Sequence, residues 1–401
     1  MGVLKNLKVK LDKSVRQGPL WEGPEGRGPN GGITFSALSR FLTCRERFRV
    51  KMIEGLAVEE KFNHRLEYGQ MWHACEEALA AQKEWEPALL AYVKPLLSKH
   101  PMDREQVNHW YQVCKRQFPH YVKYWQKNAD VKNRVPLLQE RVFDVDYPLP
   151  SGRIVRLRGK WDSVDLLKNR KAVFLKENKT KGDINEQPLR RQLTFDLQTM
   201  MYLTALERFD WKGTPYGPTE AKPVVINGKT VMRNKSHLPQ ILPPIGGVVY
   251  NVVRRPLSGG KGSIRRHQAT NTKPEETLES FYDRVEQYII DEPETYFMRW
   301  EVNVSPADVK RFRSECLDPT LEQLCAWYQH IVNEHDNGTG TAKYFNEPFS
   351  ADGHQTQLHW RHPFGAENSV DEYGFGDVDE YLNSGSMVGL RRVDKLFTEL
   401  Q

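Results

Sequence analysis

Three consecutive stretches between residues 140 and 178, "ERVFDVDYPL", "RIVRLRGKWDSVDLL" and "AVFLKEN", constrain the fold of this chain more than any other feature. The first two alternate apolar and polar residues with a period of two, and the third opens on four apolar residues. They are joined by "PSG" and "KNRK", both turn signals, so the block predicts a three-strand antiparallel meander near 140–148, 153–167 and 171–179. A sheet with so apolar a third strand must be covered. The next segment, "EQPLRRQLTFDLQTMMYLTALERF", predicts the cover. It reads as a helix of about 20 residues with Leu189, Leu193, Leu197, Met200 and Leu203 or Thr204 on one face. "IGGVVYNVVRR" at 245–255 then predicts a fourth, buried strand. Strands interleaved with helices place the chain in the α/β class, with a mixed sheet flanked by helices.

Upstream, Leu38, Phe41, Leu42 and Phe48 recur at helical spacing, with Thr34 or Ser36 as N-cap and Gly55 as a stop. "LEYGQMWHACEEALAAQ" predicts another helix, and two more near 86–99 and 103–127 carry Trp110, Tyr111, Phe118, Tyr121, Tyr124 and Trp125. An aromatic stripe of this kind more often packs a core than stacks on bases, although Trp72 suits either role. Helices near 275–290 and 305–334 follow the fourth strand, and the last 65 residues have weak periodicity. The expected organisation is a flexible Gly/Pro-rich basic segment at 1–33, entry helices and a helical insertion at 34–140, a core at 141–300, and a C-terminal region at 301–401 packing on that core.

Composition excludes several classes. The 401 residues are 39% hydrophobic and 27% charged, as in a soluble globular protein, and no run of about 18 apolar residues exists to span a membrane. "MGVLKNLKVKLDKSVRQG" lacks the apolar block of a secretory signal, and Asn6 stands where myristoylation needs Ser or Thr, so a cytoplasmic protein is expected. Cys44, Cys75, Cys114, Cys316 and Cys325 are scattered without a CxxC pair, which argues against disulfides and a zinc site. No P-loop or dinucleotide-binding glycine pattern is present. Charge is uneven: residues 251–270 carry Arg254, Arg255, Lys261, Arg265 and Arg266 with no acid, a candidate phosphate-contacting loop.

The chemistry gathers at the end of the third strand. Acid-x-Lys occurs six times, at Glu59, Asp130, Glu177, Asp210, Glu220 and Asp308, but only Glu177-x-Lys179 ends an apolar strand that follows another strand bearing a conspicuous acid, Asp162. Alternation puts Glu177 and Lys179 on one face. From a turn centred near 169, Asp162 lies seven residues back and Glu177 eight on, so the two are near neighbours across the hairpin. Two such carboxylates suit Mg²⁺ or Mn²⁺, and a lysine beside them can orient an attacking water or stabilise transition-state charge. Lys181 falls on the same alternation and suits a phosphate contact. His73, with Glu76 and Glu77 at i+3 and i+4, can add an imidazole ligand. Gln198 and Tyr202 share a face of the following helix, where they can hydrogen-bond a nucleic acid or the lysine.

These pieces stand in an order that resembles the RecB-like branch of the PD-(D/E)XK nuclease superfamily, which includes phage exonucleases and CRISPR-associated single-strand exonucleases. The resemblance runs through "SALSRFLTCRERF", with Ser36, Phe41, Cys44 and Phe48, then Gly69-x-x-x-His73, Gly159-x-x-Asp162, Glu177-x-Lys179 and Gln198-x-x-x-Tyr202. It implies a restriction-endonuclease-like core, metal ligands at His73, Asp162 and Glu177, a catalytic Lys179, and an accessory pair at Gln198 and Tyr202. It further implies a Mg²⁺- or Mn²⁺-dependent deoxyribonuclease, in a prokaryotic or phage-infected cell. Such an enzyme would be an exonuclease on DNA ends or single strands in replication, recombination or repair. Trp161 replaces the proline of the family's Pro-Asp, and Asn178 is polar where an apolar residue is usual. Some relatives hold an iron–sulfur cluster with one early and three late cysteines; Cys44 matches the first, but Cys316 and Cys325 are the only late ones, so no cluster is expected. A DNA-binding partner that keeps the fold without catalysis is the alternative, disfavoured because all four catalytic positions are intact.

Overall fold

The computed structural model describes residues 19–43, 45–58, 62–182, 184, 193–212, 214, 216, 222–226, 229–233, 241–257, 264–336 and 390–400. In chain order the principal elements are α1 (Phe35–Thr43), α2 (His64–Ala80), α3 (Trp85–Lys99), α4 (Arg104–Trp125), β1 (Arg134–Pro148), β2 (Ile154–Leu167), β3 (Ala172–Lys181), α5 (Leu197–Leu206), β4 (Ile245–Arg254), α6 (Leu278–Asp291), β5 (Phe297–Asn303), α7 (Pro306–Phe312) and α8 (Asp318–Asp336). Two compact units account for them. One gathers Met1–Glu60, Asp144–Gly159 and Ser314–Gln401; the other gathers Lys61–Phe143 and Lys160–Arg313.

In the first unit the segment 19–33 has no helix or strand of its own, yet it is packed. Trp21 is buried edge-on against Phe48 at 5.2 Å and Tyr328 at 4.9 Å, and its indole N–H donates to the Gly32 carbonyl at 2.8 Å. Thr34, rather than Ser36, caps α1, its hydroxyl accepting the Ala37 N–H at 3.2 Å. Leu38, Phe41 and Phe48 are buried as their spacing predicts, but Leu42 is 49% exposed. Cys44 lies outside the described residues, as do 1–18 and most of the C-terminal region that was expected to pack on the core.

The second unit holds most of a five-stranded mixed sheet in the order β1-β2-β3-β4-β5. β2 and β3 pair antiparallel through the "KNRK" turn, in which Lys171 takes a left-handed φ of 52°. β3 and β4 run parallel, with Glu177 beside Tyr250 and Lys179 beside Val252. The crossover between them includes α5. β5, antiparallel to β4, is a fifth strand in "FMRWEVN" that lies outside the predicted meander and its parallel neighbour. At Gly247 (φ 141°) an added Cβ would fall 2.1 Å from the Val302 carbonyl oxygen, so only glycine lets β5 approach there.

Both faces are covered. α5 is shorter in its described part than the predicted helix, since 185–192, including Leu189, lie outside the described residues. Every residue from Thr199 to Leu206 is buried, so this helix is enclosed rather than one-faced. On the other face Trp72 packs against Phe118 and Tyr121, each at 5.1 Å, in a cluster that also buries Tyr68 and Trp110. Trp72 is therefore a core residue. Burying each side chain of this size contributes roughly 1.5–3 kcal/mol.

Candidate active site

The site forms where β2 and β3 run on beyond their turn. Their pairing reaches Ser163 opposite Lys176, and one further step in the same register sets Asp162 opposite Glu177. Asp162 Oδ2 accepts the backbone N–H of Asn178 at 2.8 Å, which holds its carboxylate on β3 between Glu177 and Lys179. Asn178 itself turns to the opposite face, where its Oδ1 accepts from Asn251 at 2.9 Å. That bond, inside a buried pair, is why a polar residue fits this position.

Glu177 is 1% exposed. Lys179 Nζ lies 3.1 Å from Glu177 Oε2 and 2.8 Å from Gln198 Oε1, while Gln198 Nε2 donates to Glu177 Oε2 at 3.3 Å. The Tyr202 side chain hydrogen-bonds Gln198, closing a Glu177–Lys179–Gln198–Tyr202 chain along α5. Asp196 caps the helix by accepting the Thr199 N–H at 3.3 Å, fixing the turn that presents Gln198. Burial and then the neighbouring Asp162 push Glu177 up to about 8. Burial works against the Lys179 ammonium, but Glu177 and Asp162 outweigh it and hold the group above its ordinary value. Lys179 is thus a cation at neutral pH.

His73 projects from α2 into the same region. Its Nδ1 lies 3.2 Å from Glu140 Oε1 and 3.7 Å from Asp162 Oδ1. Burial alone would lower its basicity, yet Asp162, Glu140 and Glu177 together raise it to about 9. The i+3 and i+4 acids predicted to share its face do not join it. Glu76 instead makes a buried ion pair with Lys176 at 2.5 Å, and Glu77 is exposed.

Glu140 was not singled out in the sequence. It sits in β1 with a left-handed φ of 44°, where the alternation slips: Phe143, Val145 and Tyr147 are buried on one phase and Leu138 on the other. The left-handed φ and the change of phase re-aim the Glu140 side chain relative to the rest of β1. The carboxylate is held by Lys160 at 2.6 Å and by His73. Burial opposes its charge, but the His73 and Lys160 contacts win and lower its pKa. The broken phase in "LLQERVFDVDY" was the available signal.

Single atoms of His73, Glu140 and Asp162 lie within 4.8 Å of one another, the spacing of a metal site. Glu177 stands outside that trio, but its Oε1 is buried without a hydrogen-bond partner among the described residues. One imidazole with several carboxylate oxygens is a donor set that fits a divalent cation such as Mg²⁺ or Mn²⁺.

The predicted basic contacts are scattered. Lys181 is half-buried at the end of β3. Arg254 and Arg255 are 4% and 6% exposed, and Arg255 Nη1 donates to the Thr180 carbonyl at 3.0 Å. Arg265 is exposed, Arg266 pairs with Glu275 at 3.1 Å, and Lys261 lies outside the described residues.

A mixed sheet carrying an Asp, a Glu-x-Lys and a candidate metal-holding histidine at one end defines a metal-dependent phosphodiesterase class. The family model of the PD-(D/E)XK nuclease superfamily matches residues 33–308, and the chain belongs to that superfamily. Its substrate is therefore a nucleic acid, and nucleases of this kind use divalent metals. No curated protein matches the chain. Among the described residues no helix is long and apolar enough to cross a membrane.

Proposed function

We propose that the protein is a Mg²⁺- or Mn²⁺-dependent DNA nuclease, an exonuclease on DNA ends or single strands that serves replication, recombination or repair. The observation that carries this reading is the Lys179 ammonium, held by Glu177 and Gln198 beside Asp162. The exonuclease assignment and the prokaryotic or phage-infected setting rest on the resemblance of the motif order to that of phage and CRISPR-associated exonucleases.

His73, Glu140, Asp162 and Glu177 would hold the cation; Asp162 is anchored by a backbone N–H and Glu177 by Lys179 and Gln198. When bound, the cation would polarise the phosphodiester and acidify a water. Lys179 is placed to orient the attacking water and to meet the negative charge that grows on the phosphorus oxygens. Gln198 keeps the ammonium from swinging away, and Tyr202 steadies Gln198.

Incubation of the protein with labelled single-stranded and duplex DNA, with and without each metal, tests the reading. Metal-dependent shortening of the label from an end, lost in Asp162→Ala and Lys179→Ala, is expected. Cleavage that survives both substitutions, or that proceeds in excess chelator, overturns it.

A further inference from the structure

Beyond Lys179, cations gather around the ends of β3 and β4. Lys181 is two residues, about 6.6 Å, past Lys179 along β3 and on the same face. The backbone N–H of Arg255 donates to the Lys181 carbonyl at 2.8 Å, and its guanidinium is pinned to Thr180 through the carbonyl at 3.0 Å and the hydroxyl at 3.2 Å. α2 crosses the same strand end closely: a Cβ on Gly69 would lie 3.4 Å from Thr180 Oγ1. Arg65, one turn before Gly69, therefore shares the face of α2 that overlies Thr180 and Arg255. Its neighbour His64 is stacked flat on Trp110, centroids 5.0 Å apart.

These groups feel one another. Burial and then Arg255 and Arg65 depress His64, while burial and then Lys179 and Arg255 depress Lys181 against a smaller opposing pull from Asp196. Among the described residues neither the Arg65 guanidinium nor the Lys181 ammonium has a carboxylate within 4.0 Å, and Arg65 is exposed. The Lys181 and Arg65 charges are therefore open to an anion that joins them. They lie at the carboxyl ends of two parallel strands, the edge at which such sheets receive ligands.

We propose that Lys181, Arg255 and Arg65 form a phosphate-binding rim that holds the DNA backbone next to the cleavage position, gripping the phosphates that flank the scissile one rather than the bases. This rests on the nuclease reading and extends it to how the strand is held. Lys181 and Arg65 reach the phosphates, and Arg255, fixed by Thr180, sets the positive field between them.

The test is fluorescence anisotropy of the full chain with a labelled single-stranded DNA in EDTA, titrated between about 50 and 200 mM salt. Lys181→Gln and Arg65→Gln should each weaken binding and lower the salt slope by about 0.7, and the double variant by about 1.4. Lys181→Arg and Arg65→Lys should restore the slope. If wild type binds and cleaves DNA while both Gln variants keep its affinity and slope, the rim is wrong and the nuclease reading stands. If wild type neither binds nor cleaves DNA, both fall together.

Discussion

Asp162 and Asn178 are joined by a bond from the backbone of one strand to the side chain of the other: the Asn178 N–H donates to Asp162 Oδ2 at 2.8 Å. A backbone donor cannot rotate away. The Asp162 carboxylate is thus set before any ligand arrives, with Oδ1 turned toward His73 at 3.7 Å. Preorganisation of this kind lets a carboxylate bind a cation without reordering its own side chain.

Asp162→Asn separates that anchoring from charge. The amide oxygen can still accept from Asn178, so the fold should hold, while the negative charge is lost. Thermal unfolding of wild type should rise on adding Mn²⁺, as for any ligand that binds only the native state. The variant should show no such rise, and its cleavage of DNA should fall about 100-fold or more. A metal-induced shift equal to that of wild type would exclude Asp162 from the metal site.

Asn178 is predicted to matter for stability instead. Its Oδ1 accepts from Asn251 Nδ2 at 2.9 Å, and the same amide also donates to the Tyr121 hydroxyl at 2.6 Å, all of it buried. Asn178→Ala leaves part of a buried amide unsatisfied, which costs about 1–3 kcal/mol. Urea unfolding should read that loss, while Mn²⁺ affinity measured calorimetrically stays near wild type. An unchanged unfolding midpoint would show that the Asn251 amide finds another partner.

Where alternation and turn chemistry agree, as in Phe143–Val145–Tyr147 or around "KNRK", sequence and structure coincide, and Asp162 falls opposite Glu177 because that pairing is local to one hairpin. The failures are non-local. His73 and Glu76 lie about 60° apart around a helix, and only the sheet decides that one meets Asp162 and the other Lys176. Arg254 and Arg255 look like surface charge in a basic run, yet β4 lies beside β3 and α2 closes over its end. β5 alternates Met298, Trp300 and Val302 with Arg299, Glu301 and Asn303, but the run is short, only partly buried and directly follows the helical turn at "DEPETY", so it does not stand out as a strand.

Glu140 offers a prediction in which stability and function move apart. A left-handed φ in a non-glycine residue costs about 1 kcal/mol or more, and here it aims a carboxylate at His73. Glu140→Gly should relieve the backbone while removing the carboxylate, leaving unfolding stability level or raised. Glu140→Gln keeps the shape and loses the charge. Both should weaken Mn²⁺ binding about 10-fold or more, since even a residue that only orients a metal-ligating histidine is worth that much. Titration calorimetry with affinities unchanged in both would show that the left-handed turn at Glu140 serves packing alone.

The buried Glu76–Lys176 pair makes the acid limb of stability predictable. Burial opposes the Glu76 charge, but Lys176, Tyr121 and Arg134 bring its pKa to about 2 from the ordinary 4.5. Between those values the unfolded chain binds more protons than the native state, so stability falls as pH falls. The contribution is complete above about pH 4.5 and is lost as pH drops through about 2. Glu76→Gln removes this dependence, and at neutral pH it destabilises, because Lys176 then lies buried among Arg134 and Arg299 without its carboxylate. Urea unfolding of both proteins at about pH 7, 4 and 3 should therefore give curves that converge toward acid. Curves that stay parallel would mean that Glu76 titrates alike in the folded and unfolded chains.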